Sequence, residues 1–241
     1  DALPISLKFS VRLLRNRRYS STIWRMRTRP SLTSSLRSPN LLPYDPTIAG
    51  VVFDFDGTLT QPGALDFPAM RKEIGCPHDG DILVHLRNLP ASQQARAETI
   101  IQAMEMTAAE RSVPNEGAET VIRELRKRGV KLAILTRNSR AAFDCALKRF
   151  SRISAADFAI ILTRDEARRD KPHPDGVVQA AVEMGVPCDK IVVVGDFSYD
   201  IEAGHAAGAA TAFLPPLPSA TTRIAPTVRL TRLNQLLDVF F

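Results

Sequence analysis

Two carboxylates, Asp54 and Asp56, stand two residues apart at the end of an apolar run in the segment VVFDFDGTLTQ, residues 51–61. A strand turns alternate side chains to opposite faces, so both acids point the same way. Like charges held that close repel unless a cation or a shared proton lies between them. A tight turn beside Gly57 is satisfied by one aspartate, so the second requires another explanation. Three later segments carry side chains that could supply it. LTRN brings Thr136, Arg137 and Asn138; RRDKPHPD brings Lys171; GDFSYD brings Asp196 and Asp200. Several carboxylates suit a hard, oxygen-liganded cation, and a lysine with helix N-terminal amides suits an anion. That is equipment for moving a phosphoryl group with Mg²⁺.

These residues need elements to bring them together. From residue 48 onward, short β-branched runs alternate with amphipathic segments. Strands are predicted over 48–53, 131–135, 158–162, 191–194 and 211–214, each nearly continuous in apolar character, as parallel strands covered on both faces should be. Helices are predicted over 116–128, 139–150, 174–184 and 199–207, with Gly129, Gly185 and Gly208 as stop signals. The alternation implies an α/β fold with a doubly wound parallel sheet. In such sheets ligands gather beyond the carboxyl ends of the strands, where the four segments fall. A stiff PPLPS loop at 215–219 precedes a short strand and a packed terminal helix.

Residues 62–114 break the alternation. Helices are predicted over 66–74, 79–86 and 92–111, with Ile100, Ile101, Met104 and Ala108 on one side of the last. Such a small α-helical insert, directly after the double-aspartate turn, is placed to cover a site. The core then comprises 46–61 and 115–241.

Charge separates a third part. The 241 residues carry a net charge of +6. Residues 1–40 hold nine basic side chains and one acid, leaving 23 basic and 25 acidic groups on the rest. A nucleic-acid footprint belongs on the folded body, which is slightly acidic, so nucleic acid is not an expected partner. The arm is rich in Arg and Ser, with Leu3, Leu7, Val11 and Leu14 on one helical face and Lys8, Arg12 and Arg15 on another. RRYSS, residues 17–21, resembles a matrix-peptidase site. The composition is that of a mitochondrial transit peptide, with a cytoplasmic location as the alternative. The absence of any apolar run of membrane-spanning length argues against a membrane partner. Cys76, Cys145 and Cys188 form neither a metal-ligand spacing nor a disulfide framework and are expected to be apolar filling.

DFDGTLT, LTRN, the lysine of DKPHPD and GDFSYDIEAG, in this order on these elements, resemble the four motifs of the haloacid dehalogenase-like hydrolase superfamily, and the likeness extends over about 48–214. The helical insert between the first two motifs lies where that family places its first type of cap, as in phosphoglycolate phosphatase-like members. The resemblance implies a Rossmann-like core and assigns roles. Asp54 would attack phosphorus and become an aspartyl-phosphate. Asp56 would protonate the leaving oxygen and then deprotonate water. Mg²⁺ would be held by Asp54, the Asp56 carbonyl and Asp196, with Asp200 in support. Thr136 and Lys171, with Arg137 and Asn138, would hold the phosphoryl group. Gly57 would let backbone amides face the phosphate.

Each residue also has a plain structural role open to it. Asp56 and Asp200 could cap a turn and a helix, Thr136 could cap a helix, and Lys171 could be a solvated charge. Their joint placement at adjacent strand tips favours chemistry. Within the family, an acid at position 56 favours phosphoryl transfer over dehalogenation. Phosphonate cleavage would need a cap lysine, and Lys72 is the insert's only one. The expectation is a Mg²⁺-dependent phosphatase for a small phosphorylated metabolite. A sugar-phosphate mutase of the same fold is the alternative, and a non-catalytic phosphate-binding protein is the alternative of another class.

Overall fold

The computed structural model describes residues 48–241; the basic arm and its expected mitochondrial address lie outside the described residues. Among these residues the elements run β1 (Gly50–Phe53), α1 (Phe67–Glu73), α2 (Ile82–Asn88), α3 (Ala91–Arg111), α4 (Ala118–Lys127), β2 (Lys131–Leu135), α5 (Arg140–Leu147), β3 (Ile160–Leu162), α6 (Asp175–Met184), β4 (Ile191–Gly195), α7 (Ser198–Ala206), β5 (Ala210–Phe213), β6 (Val228–Arg229) and α8 (Gln235–Phe240). The strands form one sheet in the order β3-β2-β1-β4-β5-β6, every neighbouring pair parallel.

Alternate β1 side chains enter different layers. Val51 and Phe53 pack with Phe55, Val121, Leu125, Ile134 and Phe143 on the side of α4, α5 and α8. Val52 packs with Ala133, Leu135, Val177, Ala180 and Val193 on the side of α6 and α7. Burial on both faces is why β1 is apolar without interruption. In register, Phe53 lies opposite Ile134 of β2 and Val194 of β4. Asp54 therefore leaves the sheet between those two strand tips, its amide still donating to the Val194 carbonyl at 2.8 Å. Strand order reverses between β1 and β4, the crevice in which ligands of open α/β sheets bind.

The predicted elements are present with shifted ends. α2 starts at Ile82 rather than at 79, because Gly80 N–H closes a turn onto the Pro77 carbonyl (2.9 Å) and Asp81 takes the cap. Asp81 Oδ1 accepts from the amides of Leu83 (2.9 Å) and Val84 (3.0 Å). β3 starts at Ile160 rather than at 158, because Ser154 and Asp157 cap a 3-10 turn over Ala155–Asp157.

The insert leaves and returns at one point. Thr60 bridges to Pro114, Gln61 N–H donates to the Val113 carbonyl (2.8 Å) and Asn115 N–H to the Leu59 carbonyl (2.7 Å). α1, α2 and the first half of α3 enclose their own apolar cluster, including Met70, Ile74, Leu83, Leu86 and Ile101. The far end of α3 belongs to the core: Ala109 packs with Phe55 and Val121. Cys76 is buried, and Cys145 and Cys188 are partly so; all three are free thiols. Among the described residues no helix is long and apolar enough to cross a membrane.

Candidate active site

Four strand tips and one face of the insert enclose a cavity of about 280 Å³. Asp54, 8% exposed, forms its floor. Asp54 Oδ1 accepts from Lys171 Nζ at 2.6 Å, and Oδ2 accepts from the Thr58 hydroxyl at 3.4 Å. Lys171 is 4% exposed; its ammonium also donates to the Leu135 carbonyl at 2.7 Å and pairs with Asp200 at 2.7 Å. Burial alone would push this ammonium down, but Asp200 and Asp54 outweigh it and hold Lys171 charged above its usual range.

Asp56 is held from β2. Its Oδ2 accepts from Asn138 Nδ2 at 3.1 Å and from the Thr136 hydroxyl at 3.3 Å. Thr136 Oγ1 in turn accepts from Asn138 N–H at 3.1 Å, so the loop is braced internally. Burial raises the Asp56 carboxyl above the ordinary aspartate range despite those two donors. Burial also raises Asp54 to about 7, opposed by Lys171 and reinforced by Asp200 and Asp56. Asp196 is raised well above its usual range, by burial first and then by Asp54 and Asp200. One lysine among four acids leaves the site short of positive charge.

Carboxylate oxygens of Asp54, Asp196 and Asp200 lie within 4.8 Å of one another, all hard donors. Asp200 is committed to Lys171 and accepts Phe197 N–H at 3.0 Å, which leaves Asp54 and Asp196 as the pair for a cation. Two glycines make the packing feasible. Gly57 has φ +85°, and a Cβ there would overlap Asp196 Oδ2; a Cβ on Gly195 would overlap the Asp200 carboxyl. The donor set and the space both fit a small divalent cation.

Arg137, expected among the substrate-binding residues, lines the same cavity but is engaged by the insert. Its Nη2 donates to both oxygens of Asp81 (2.6 and 2.8 Å), and its guanidinium lies 4.8 Å from the Tyr199 ring centroid. Burial would raise the Asp81 carboxyl, yet Arg137 and the α2 amides hold it below its usual range. Leu65, Phe67 and Met70 from the insert and Phe197, Tyr199 and Arg223 from the core complete the walls. His173 is turned to Asp175, His85 Nε2 lies 3.2 Å from the Ile74 carbonyl, and Lys72 is exposed.

Sequence reasoning missed Glu105 and Arg164, which also line the cavity. Arg164 Nη1 and Nη2 donate to Glu105 Oε1 (2.6 Å) and Oε2 (3.0 Å). A signal for each existed. Arg164 stands just past the end of β3, and Glu105 follows Ile101 by four residues on the buried face of α3.

Comparisons with known proteins identify the family. The family model for haloacid dehalogenase-like hydrolases matches residues 69–214. An uncharacterized hydrolase of Saccharomyces cerevisiae is 36% identical over 169 residues, covering 69% of this chain and 77% of its own. A phosphoglycolate phosphatase of Escherichia coli O157:H7 is 28% identical over 204 residues, covering 67% of this chain and 79% of its own. The crystal structure of a hydrolase from Pseudomonas syringae superposes with a TM-score of 0.67 at 24% identity, over 79% of this chain and 96% of that one. The chain belongs to the haloacid dehalogenase-like hydrolase family, and it is an enzyme of the hydrolase class. The matched span begins inside the insert, so Asp54 and Asp56 stand on their own sequence motif and on the geometry above.

Proposed function

We propose that this hydrolase is a Mg²⁺-dependent phosphatase that cleaves a small phosphorylated metabolite through an acyl phosphate on Asp54. The observation that carries the reading is the division of labour between the two aspartates. Asp54 is fixed at the β1 tip by the Lys171 ammonium and, beside Asp196, would face the cation, whereas Asp56 Oδ2 accepts only from the neutral groups of Thr136 and Asn138. A carboxylate kept ionised by neighbouring cations can attack, and one with neutral partners can take up a proton and give it back.

Asp54 Oδ attacks phosphorus as the bond to the leaving oxygen breaks, and the Asp56 proton goes to that oxygen. Asp56, now ionised, takes a proton from water; the water oxygen attacks phosphorus, releasing phosphate and the Asp54 carboxylate. Lys171 neutralises charge on the transferring group, a phosphoryl oxygen replacing one of its present acceptors. Asp54, Asp196 and the Asp56 carbonyl would hold the cation, which supplies Lewis-acid stabilisation of phosphoryl oxygens. A phosphoglycolate phosphatase among the relatives agrees with a small substrate.

The test is phosphate release from p-nitrophenyl phosphate and from a panel of phosphorylated metabolites, with Mg²⁺ or EDTA. Release with Mg²⁺, abolished by EDTA and weaker with Ca²⁺, is expected. Full activity in metal-free buffer would remove the assignment, and transfer to a second sugar hydroxyl in place of water would favour the mutase alternative. We further propose that residues 1–40 direct the protein to the mitochondrial matrix. A reporter fused to them should enter mitochondria and be cut near Tyr19; a diffuse cytosolic signal would contradict this.

A further inference from the structure

We infer that Glu105 and Arg164 are positioning residues for Asp56, coupling the insert to the proton donor; this rests on the acid–base role of Asp56 proposed above. Glu105 is 5% exposed in α3, and its carboxylate binds Arg164 through two hydrogen bonds. Buried in this way, an acid without a partner would be unfavourable. The pair does more than satisfy itself. Arg164 Nη1 donates to the Arg137 carbonyl at 3.2 Å, and Arg164 N–H donates to the Asn138 carbonyl at 3.0 Å. Glu105 Oε2 also accepts from Ser139 N–H at 3.4 Å, and that amide is shared with Asn138 Oδ1 at 2.9 Å. Every backbone group bound in this way belongs to residues 137–139. The same loop presents Thr136 Oγ1 and Asn138 Nδ2 to Asp56 Oδ2. Asn138 is itself 5% exposed.

The chain of contacts therefore runs from α3 through the β3 tip to the β2 loop and ends on the acid. A side chain that must meet a leaving oxygen loses rate when its holder loosens, because proton transfer depends on hydrogen-bond reach. Loosening should leave the attack by Asp54 largely intact, since Lys171 and Thr58 hold that residue from other directions.

The experiment compares phenyl phosphate with p-nitrophenyl phosphate, which are close in shape but differ in how much the leaving oxygen needs a proton. Wild type, Glu105→Gln, Asp56→Asn and the double variant Glu105→Gln/Arg164→Gln are assayed as full chains with Mg²⁺. The double variant removes both charges together and so avoids stranding one of them. The expected result is a loss of about 10- to 100-fold in kcat/KM for phenyl phosphate, which reports the transfer to Asp54, in Glu105→Gln and the double variant. The loss of kcat/KM with p-nitrophenyl phosphate should be no more than about fivefold, while kcat, which includes dephosphorylation of Asp54, falls for both esters. Asp56→Asn should show the same selectivity, more strongly. Equal losses of kcat/KM on both esters in Glu105→Gln and the double variant, or no loss on either, would overturn the positioning role while leaving Asp56 in place. An Asp56→Asn variant without leaving-group selectivity in kcat/KM would overturn both readings together.

Discussion

In the core, Asp54, Asp56, Thr136, Lys171 and Asp196 lie at or just beyond the carboxyl ends of strands or in the loops that follow, and their partners are one another. In the insert, three charged residues each hold a core loop. Asp81 holds Arg137, Arg87 pairs with Asp170 beside Lys171, and Glu105 holds Arg164. The first region carries groups able to react, whereas the second carries groups that fix where those reacting groups sit. The three insert pairs also differ in burial, from Glu105 at 6% side-chain exposure to Arg87 at 55%. A charge pair's worth follows that gradient: surface pairs contribute about 0–1 kcal/mol, while breaking a buried one costs about 3–5 kcal/mol.

The sharpest break of this contrast is Asp54→Asn. It removes the nucleophile and one metal charge, so turnover of every ester should fall to background while the fold stays intact, as circular dichroism and a thermal melt would show. Retained turnover would move the chemistry away from the β1 tip. Gly57→Ala comes next. Its Cβ would collide with Asp196 at a backbone angle that alanine avoids. The Mg²⁺ concentration for half-maximal rate should rise about tenfold or more, and an unchanged value would separate Asp196 from the cation.

A third prediction concerns pH. Asp54 and Asp196 have folded-state values above those of an unfolded aspartate, which is near 3.9. Between about pH 4 and 7 the folded protein holds protons that the unfolded chain has released, so these groups lower stability as pH rises. In EDTA the melting temperature should fall from pH 5 to pH 7.5, and added Mg²⁺ should raise it more at pH 7.5. An equal rise at both pH values would mean that the cation does not bind these carboxylates. The smallest effect belongs to Arg87→Ala, with stability changed by about 0–1 kcal/mol and kcat within about twofold. A larger loss would make this exposed pair a support for the Lys171 loop and erase its difference from the Glu105–Arg164 pair.

The core was legible in the sequence because strands buried on both faces leave unbroken apolar runs, and because the chemistry-bearing side chains follow those runs. Asp54, Asp56, Thr136, Lys171 and Asp196 converge on one cavity for that reason. The insert was less legible. The start of α2 depended on the Pro77–Gly80 turn competing with the helix, and on Asp81 serving at once as helix cap and as partner for Arg137. Helical spacing shows that Glu105 lies on the buried face of α3, but it does not name a partner 59 residues away. The engagement of Arg137 was hidden for the same reason: its position after β2 was readable, and the carboxylate reaching across from α2 was not.

The acyl phosphate on Asp54 is the central claim, and Asp56→Asn offers the means to observe it, because that variant should still be phosphorylated by p-nitrophenyl phosphate and should dephosphorylate slowly. Borohydride reduces an acyl phosphate to an alcohol, turning aspartate into homoserine. Peptide mass spectrometry after borohydride treatment of Asp56→Asn during turnover with Mg²⁺ should find homoserine at position 54, and none when p-nitrophenyl phosphate is omitted. Continued phosphate release with an unmodified residue 54, or homoserine at another aspartate, would contradict the account.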